Sequence, residues 1–530
     1  MKKREGGILA WAAAVFLLVG MAAGCSRSEE ARYQLNPKQP VMITVWNYYN
    51  GQTKQAFDNL VSRFNETVGM EMGIIVDSVS YGDVNQLAEE AYNSASGRLG
   101  ADAMPNLFAA YPENAYRIDV LGKLVDLNQY FSEDELKVYR ADFLQDCSFG
   151  GNYGLKILPV VRSTENLFLN KTDWDRFAGD TGVRLDRLST WEGVAETAKA
   201  YYEWSGGKAF LGIDSLANYI IVASVQTGND IYKLQDGQVT FSFDQDLARI
   251  LWDELYVPYV KGYYANLGKF RSDDEKTGDI LAYVGSSAGA VYFPKEVTLN
   301  QNEIYRIESS VLPYPCFRDG DLCAMVQGAG FAIAQSDSTH EYASAVFLKW
   351  LTQEEQNLDF AVNSGYLPVE NSSLNQGYAK AMAAYSGTPE YNPTIGGSAE
   401  ATLKMLSEYR FYSNPPFEGS YEMRQFYGEY MEASVDNARL EAEDKMKAGM
   451  TKEEAQAQVT DALSSINILD PTSELGRFED RVRRQEALAQ GKIELAASSL
   501  DAQFAELETD SSQIEIEARL AALKGNNNQA

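Results

Sequence analysis

Along the first third of the chain, short apolar runs alternate with stretches whose apolar residues recur at helical spacing. Met42-Ile43-Thr44-Val45-Trp46 predicts a strand; the polar, ring-rich stretch 47–51 follows, and Ala56, Leu60, Val61 and Phe64 then predict a helix. Gly73-Ile74-Ile75-Val76 starts a second unit, which passes through Tyr81-Gly82-Asp83 into a helix over 84–98. A third strand is predicted over 106–110, ending in Tyr111-Pro112-Glu113-Asn114. Such alternation predicts a mainly parallel sheet covered on both faces. Ligands of these sheets lie beyond the carboxyl ends of the strands, and here those ends carry Trp46, Tyr48, Tyr49, Tyr81 and Tyr111.

The pattern then changes. Residues 154–161 predict a strand, and Arg162-Ser163-Thr164 leads straight into a second extended segment, 165–170. Two extended segments with no helix between them predict a chain leaving one sheet for another. Thr190 heads a helix, residues 278–284 read as a loop, and Gly285-Ser286-Ser287-Ala288-Gly289 reads as a small-residue turn. Residues 326–333 predict a strand that carries the chain back, and a helix over 342–351 leads to Ser364-Gly365-Tyr366-Leu367-Pro368. From about Met423 the chain predicts long charged helices, with Thr451 and Glu454 forming a capping box. Beyond Pro471, helices are predicted over 473–507 and 512–523, but their imperfect heptads do not predict a sustained coiled coil.

Lys2, Lys3 and Arg4, the apolar run 8–23 and Ala22-Ala23-Gly24-Cys25 have the layout of an export signal. A cysteine directly after Ala-Ala-Gly reads as a bacterial lipobox: residues 1–24 are removed and Cys25 carries lipid. The alternative is an ordinary export signal with an incidental cysteine. Residues 25–40 read as a flexible tether. No later apolar run reaches membrane-spanning length, so membrane contact is expected through the anchor only. The formal net charge is −29, and removal of Lys2, Lys3, Arg4 and Glu5 with the signal leaves −31. Such a surface repels nucleic acid.

Cys316 and Cys323 are close enough in sequence to form a bridge or to stay free. Their spacing fits no zinc pattern and His340 is the only histidine, so neither metal nor cofactor is expected. Flat rings beside polar side chains suit a hydroxyl-rich ligand such as a sugar. The same rings could serve as core packing; their recurrence at three successive strand ends favours a site. The turn 285–289 could offer amides and a hydroxyl to a ligand, or it could be a turn alone. Ser287 sits centrally in Gly-x-Ser-x-Gly, without the chain order of an α/β-hydrolase around it. Glu113 and Glu165 form a weak candidate glycosidase pair in an acid-rich chain.

Taken in order, several segments resemble the family 1 extracellular solute-binding proteins, lipid-anchored receptors of ABC importers for sugars and polyols. They are Ile43-Thr44-Val45-Trp46, Arg162-Ser163-Thr164-Glu165, Thr190-Trp191-Glu192, Gly285 to Gly289, Gln327-Gly328-Ala329-Gly330, Phe347-Leu348-Lys349-Trp350-Leu351 and Ser364 to Pro368. The resemblance runs over about 41–467. It implies an α/β, two-lobed periplasmic-binding-protein-like fold of type II, with a hinge between the lobes and extra C-terminal helices. Lobe one would comprise 41–162 and 328–370, and lobe two 163–327 and 371–468. The extension 469–530 would pack on lobe two or form an arm.

The family's role implies a monomer without catalysis, outside the cytoplasmic membrane, that closes on a sugar or polyol and delivers it to ABC permease subunits. Matched by position, Ser163, Ser287, Gly328 and Tyr366 join Trp46, Tyr48, Tyr49, Tyr81, Tyr111 and Glu113 as expected ligand contacts. The arrangement is most similar to receptors for glycerol 3-phosphate and glycerophosphodiesters and to their sugar-binding cousins. Pro112 stands where those carry an acid, with Glu113 one place later, and their phosphate-gripping arginine is replaced near Glu422, close to Arg424. The departures imply an uncharged saccharide. An exported polysaccharide-active enzyme and a surface adaptor acting through the C-terminal helices are the alternatives.

Overall fold

The first predicted strand is Val41–Asn47, and it pairs in parallel with Ile74–Ser80 on one side and Leu107–Ala110 on the other. In this computed structural model, residues 32–461 are described, apart from 150–153, 236–237 and 390. The export signal, Cys25 and the extension 469–530 lie outside the described residues. Gly330–Ile333 returns antiparallel to Leu107–Ala110, and Leu158–Pro159 completes the five-stranded sheet. Aromatic packing explains why so distant a segment joins it. Phe57, on the helix Gly51–Glu66, stacks on Phe331 at 6.0 Å, while Phe64 meets Phe347 and Trp350 edge-on at 5.0 and 5.3 Å. Each pair contributes roughly 0.5–1.5 kcal/mol beyond the area it buries. They fasten the first helix to Ser338–Leu351, which carries Phe347 and Trp350.

The second sheet has the order Ser309–Pro313, Glu165–Asn170, Ala282–Ser286, Leu211–Ile213. Residues 282–284, expected as loop, are therefore strand. Ala282, Tyr283 and Val284 are all buried, flanked by strands on both sides, so no polar–apolar alternation marks them. Pro393–Glu408 packs on Ser309–Pro313, and the long helix Ser420–Lys447 packs on Leu216–Gln226. The capping box at Thr451 and Glu454 is present.

Three expectations change in detail. The single strand expected over 154–161 is two short ones, Gly154–Leu155 and Leu158–Pro159. From Tyr33 on, the expected tether is part of the packed body: Tyr33 stacks on Tyr342 at 4.0 Å and Leu35 is buried. Tyr378–Tyr385, placed with the second lobe from sequence, packs on Glu354–Ser364. Cys316 and Cys323 are buried free thiols, with the Gln226 amide donating to the Cys316 sulfur and the Cys323 carbonyl.

The chain passes from the first sheet to the second at 160–164 and back at 326–329. These crossings pair through their backbones: the Ser163 amide donates to the Gln327 carbonyl at 2.8 Å, and the Gln327 amide donates back at 2.7 Å. Arg162 and Leu367 exchange a second pair of bonds at 3.0 and 2.7 Å. The Arg162 side chain is only 1 % exposed. Its guanidinium reaches Asp146 at 2.6 Å and the carbonyls of Phe143 and Gly328 at 2.5 and 2.8 Å. Gly328 takes a φ of +105°, and a Cβ there would lie 3.1 Å from the Val161 carbonyl oxygen.

Replacing Arg162 by Met leaves Asp146 buried without its partner. Arg162→Met should therefore lower the unfolding free energy by about 3–5 kcal/mol, read from urea titration; a loss below about 1 kcal/mol would contradict a clamping role.

Candidate functional site

Asn47 ends the first strand and shapes the loop after it. Its side chain donates to Ser78 and accepts from the Tyr49 amide at 3.0 Å, while its carbonyl accepts from the Tyr81 amide. Tyr48 and Tyr49 are thereby held at the carboxyl edge of the first sheet. Tyr48 shares a hydrogen bond with Tyr366 at 3.2 Å between hydroxyls. Burial holds the phenols of Tyr48, Tyr49 and Tyr366 well above their ordinary pKa, so each stays a neutral donor.

These rings open onto a cleft of about 1440 Å³ between the two sheets. Of the residues expected from sequence, Tyr48, Tyr49, Tyr111 and Tyr366 line it. The facing wall includes Asp214, Tyr283, Ser286, Tyr292, Asp273 and Thr394. Two contacts already reach across the cleft: the Tyr292 hydroxyl donates to Asn50, and Lys269 pairs with Asp83 at 3.2 Å.

The other expected residues sit elsewhere. Trp46 is buried under the loop with its ring 4.8 Å from Tyr81, and neither residue lines the cleft. The strand is central in its sheet and covered on both faces at this end, where Val45, Trp46 and Asn47 are all buried, so the Trp46 ring packs inside. Ser163, Ser287 and Gly328 belong to the crossings. The Ser287 hydroxyl accepts from the Thr164 amide at 3.2 Å and its own amide donates to the Thr164 carbonyl at 2.7 Å. Its neighbours Ser286, Ala288 and Gly289 face the cleft instead. Glu113 is buried on the helix Pro112–Val120 and pairs with Arg424 at 3.5 Å.

Arg424 also donates to Asn218 at 3.0 Å, and Asn218 donates to Glu165 at 2.9 Å. Glu113, Arg424, Asn218 and Glu165 thus form an internal chain of polar contacts, none of them lining the cleft. His340 pairs with Asp337 at a helix start. Among the described residues no group of three or more His, Cys, Asp and Glu could hold a metal ion, and no helix is long and apolar enough to cross a membrane.

Asp214 is the main residue that the sequence reading passed over. It follows the strand Leu211–Ile213, so the same strand-end rule that marked the tyrosines could have found it. The Arg271 amide donates to one of its oxygens at 3.2 Å. The other oxygen lies where a side chain at residue 285 would stand, 2.4 Å from an idealised Cβ, so Gly285 makes its room. Desolvation between the cleft walls pushes its carboxyl up to about 6, against the pull of Arg271, although the side chain stays open to the cleft, 36 % exposed.

The sequence pattern of bacterial extracellular solute-binding proteins matches residues 59–389. The fold is similar to that of a cyclic α-maltosyl-1,6-maltose binding protein from Arthrobacter globiformis, with a TM-score of 0.57 and 18 % identity over 81 % of this chain and 100 % of that one. It is also similar to UgpB from Mycobacterium tuberculosis, solved with glycerophosphocholine, at a TM-score of 0.58 and 18 % identity over 80 % and 98 % of the two chains. Maltose-bound MalE3 of T. maritima gives 0.57 and 14 % identity over 80 % and 99 %. At such identities the likeness is one of fold. A stretch of 94 residues, 18 % of this chain, is 35 % identical to membrane-associated protein Vipp1 of Nostoc punctiforme. The chain spans about a third, 35 %, of that relative's length.

Glu165 generates a pH test. Burial raises its carboxyl from 4.5 to about 7, with Asn218 and Arg424 opposing. The folded chain then holds this proton more tightly than the unfolded chain, so the contribution to stability is full below 4.5 and is lost as pH rises through about 7. Between pH 5 and pH 8, the wild type should lose roughly 1–3 kcal/mol more unfolding free energy than Glu165→Gln, by urea titration. Equal slopes would contradict a titrating, buried Glu165.

Proposed function

The chain belongs to the bacterial extracellular solute-binding proteins, and on that premise we propose that it is a receptor that captures a carbohydrate or polyol and delivers it to an ABC import permease. Its family is extracytoplasmic, and the lipobox reading adds an anchor through Cys25 on the outer face of the cell membrane. The protein acts as a monomer, and the ligand lies between the lobes. Closure follows from differential affinity, since a ligand that touches both walls favours the state in which both touch it.

The observation that carries this reading is the cleft itself: about 1440 Å³, walled by both sheets, lined by Tyr48, Tyr49, Tyr111 and Tyr366 and flanked by paired crossings. Printed ligands of proteins with the same fold, maltose and glycerophosphocholine, point the same way. Within the set expected from sequence, these four tyrosines are the ligand contacts we carry forward. Lobe one takes 41–162 and 328–370, extended by the helix Tyr378–Tyr385 that packs on it.

Glu113 and Glu165, weighed for glycoside cleavage, are occupied by Arg424 and Asn218, which weighs against the enzyme alternative.

A thermal-shift screen of the mature chain against neutral saccharides, polyols and phosphodiesters tests the proposal. A ligand present at a hundred times its Kd adds about 2.7 kcal/mol of stability, so at least one saccharide or polyol should raise the Tm by about 2 °C or more. A panel without effect, or a shift only with compounds lacking several hydroxyls, would overturn it.

A further inference from the structure

Three polar groups in the cleft have hydrogen-bonding capacity that the protein leaves unused. Tyr49, on the first-sheet wall, and Tyr283, on the second, line the cleft, and among the described residues each hydroxyl is shielded from solvent with no hydrogen-bond partner. An unmet buried hydroxyl is costly unless something completes it. Asp214 supplies the third: Arg271 occupies one carboxylate oxygen, while the other, in the space that Gly285 leaves, accepts from no donor among the described residues. Tyr283 and Asp214 stand together on the second-sheet wall, on and just after paired strands, and Tyr49 faces them from the loop that follows the first strand of the other sheet.

Charge and size narrow what can meet them. The lining carries five carboxylates against Lys276, Lys295 and Arg306, so a phosphate placed near Asp214 meets net repulsion. The cavity, at about 1440 Å³, exceeds the roughly 300–1,000 Å³ of common small-ligand sites. A cleft of this size has room for more than one sugar ring.

We propose that Asp214, supported by Tyr283 and opposed by Tyr49, is the specificity-determining group of the cleft, accepting hydrogen bonds from adjacent hydroxyls of an uncharged oligosaccharide and disfavouring phosphorylated ligands. This rests on the receptor reading above. A carboxylate takes two hydroxyl donors in parallel, and a charged hydrogen bond is stronger than a neutral one. Asparagine at 214 keeps shape but loses that charge, and so loses the discrimination as well as the affinity.

The test is calorimetric titration of the wild type, Asp214→Asn and Tyr283→Phe with a fixed panel: neutral mono-, di- and trisaccharides of α and β linkage, glycerol 3-phosphate and glycerophosphocholine. The unliganded Tm of each variant confirms that it folds. Expected is binding that strengthens from mono- to trisaccharide, a loss of about tenfold or more in Asp214→Asn, a smaller loss in Tyr283→Phe, and a narrowed gap between neutral and phosphorylated compounds in Asp214→Asn. Gly285→Ala, which crowds the Asp214 oxygen, should repeat the loss. Saccharide binding that is unchanged within about twofold in Asp214→Asn, or a wild-type preference for the phosphorylated compounds, would overturn this inference and leave the receptor reading standing. No binding by any member to the wild type would overturn the receptor reading and this inference with it.

Discussion

A guanidinium buried where two sheets meet sets the terms for the rest of the molecule. Arg162 has almost no access to water, and its two terminal nitrogens take protein acceptors from Asp146, Phe143 and Gly328, while its Nε finds no partner among the described residues. Removing such a cation from water costs several kcal/mol, which only good geometry and extra hydrogen bonds offset. Those acceptors come from different parts of the chain, so meeting them holds the outward crossing against the returning one. The two crossings are then joined at this point by backbone pairs, with the salt bridge to Asp146 anchoring the outward one to its own sheet. Paired extended crossings of that kind are where two packed units can turn relative to one another.

The cleft follows from the same arrangement. Both sheets end their strands toward the junction's open side, and the loops there are shaped by short polar side chains such as Asn47 and Ser80. Tyrosine suits those ends because its ring packs on the core while its hydroxyl stays available at the rim. Tyr49 goes further: its ring lies 5.2 Å from Phe57 and 5.3 Å from Phe360, and its hydroxyl is itself shielded from solvent with no partner among the described residues. Elsewhere the long helix Ser420–Lys447 ties the walls together at the side. Arg117 sits between the rings of Tyr92 and Tyr421 and pairs with Glu422, while Arg424 reaches Glu113.

Much of this was legible in residue order. The first three strands, the helix after Asn50 and the crossing at Arg162-Ser163-Thr164 all carry local signals, either an apolar run or helical spacing. The tyrosines at 48, 49 and 111 were reachable by the strand-end rule, and Tyr366 by the resemblance of its motif. Trp46 was misplaced by that rule, since it lies at the end of a central strand where both faces are covered. Ser287 and Gly328 were noticed for their small size, but the reason for that size is close backbone approach at the crossings. Tyr283 was hidden because a strand buried on both faces shows no alternation. Asp214 was within reach of the strand-end rule, but its role was not, because that depends on Gly285, which lies 71 positions away and reaches it only through the pairing of Leu211–Ile213 with Ala282–Ser286.

The central claim is that two units turn about the Arg162 junction and grip a ligand between them. Spin labels at Asn85→Cys and Glu303→Cys stand at exposed positions beside elements that line the cleft from either side, and pulsed electron–electron resonance reads the distance between them. The account predicts a distribution that shortens and narrows when a saccharide that raises the Tm is added to saturation. An identical distribution with and without that saccharide would contradict it.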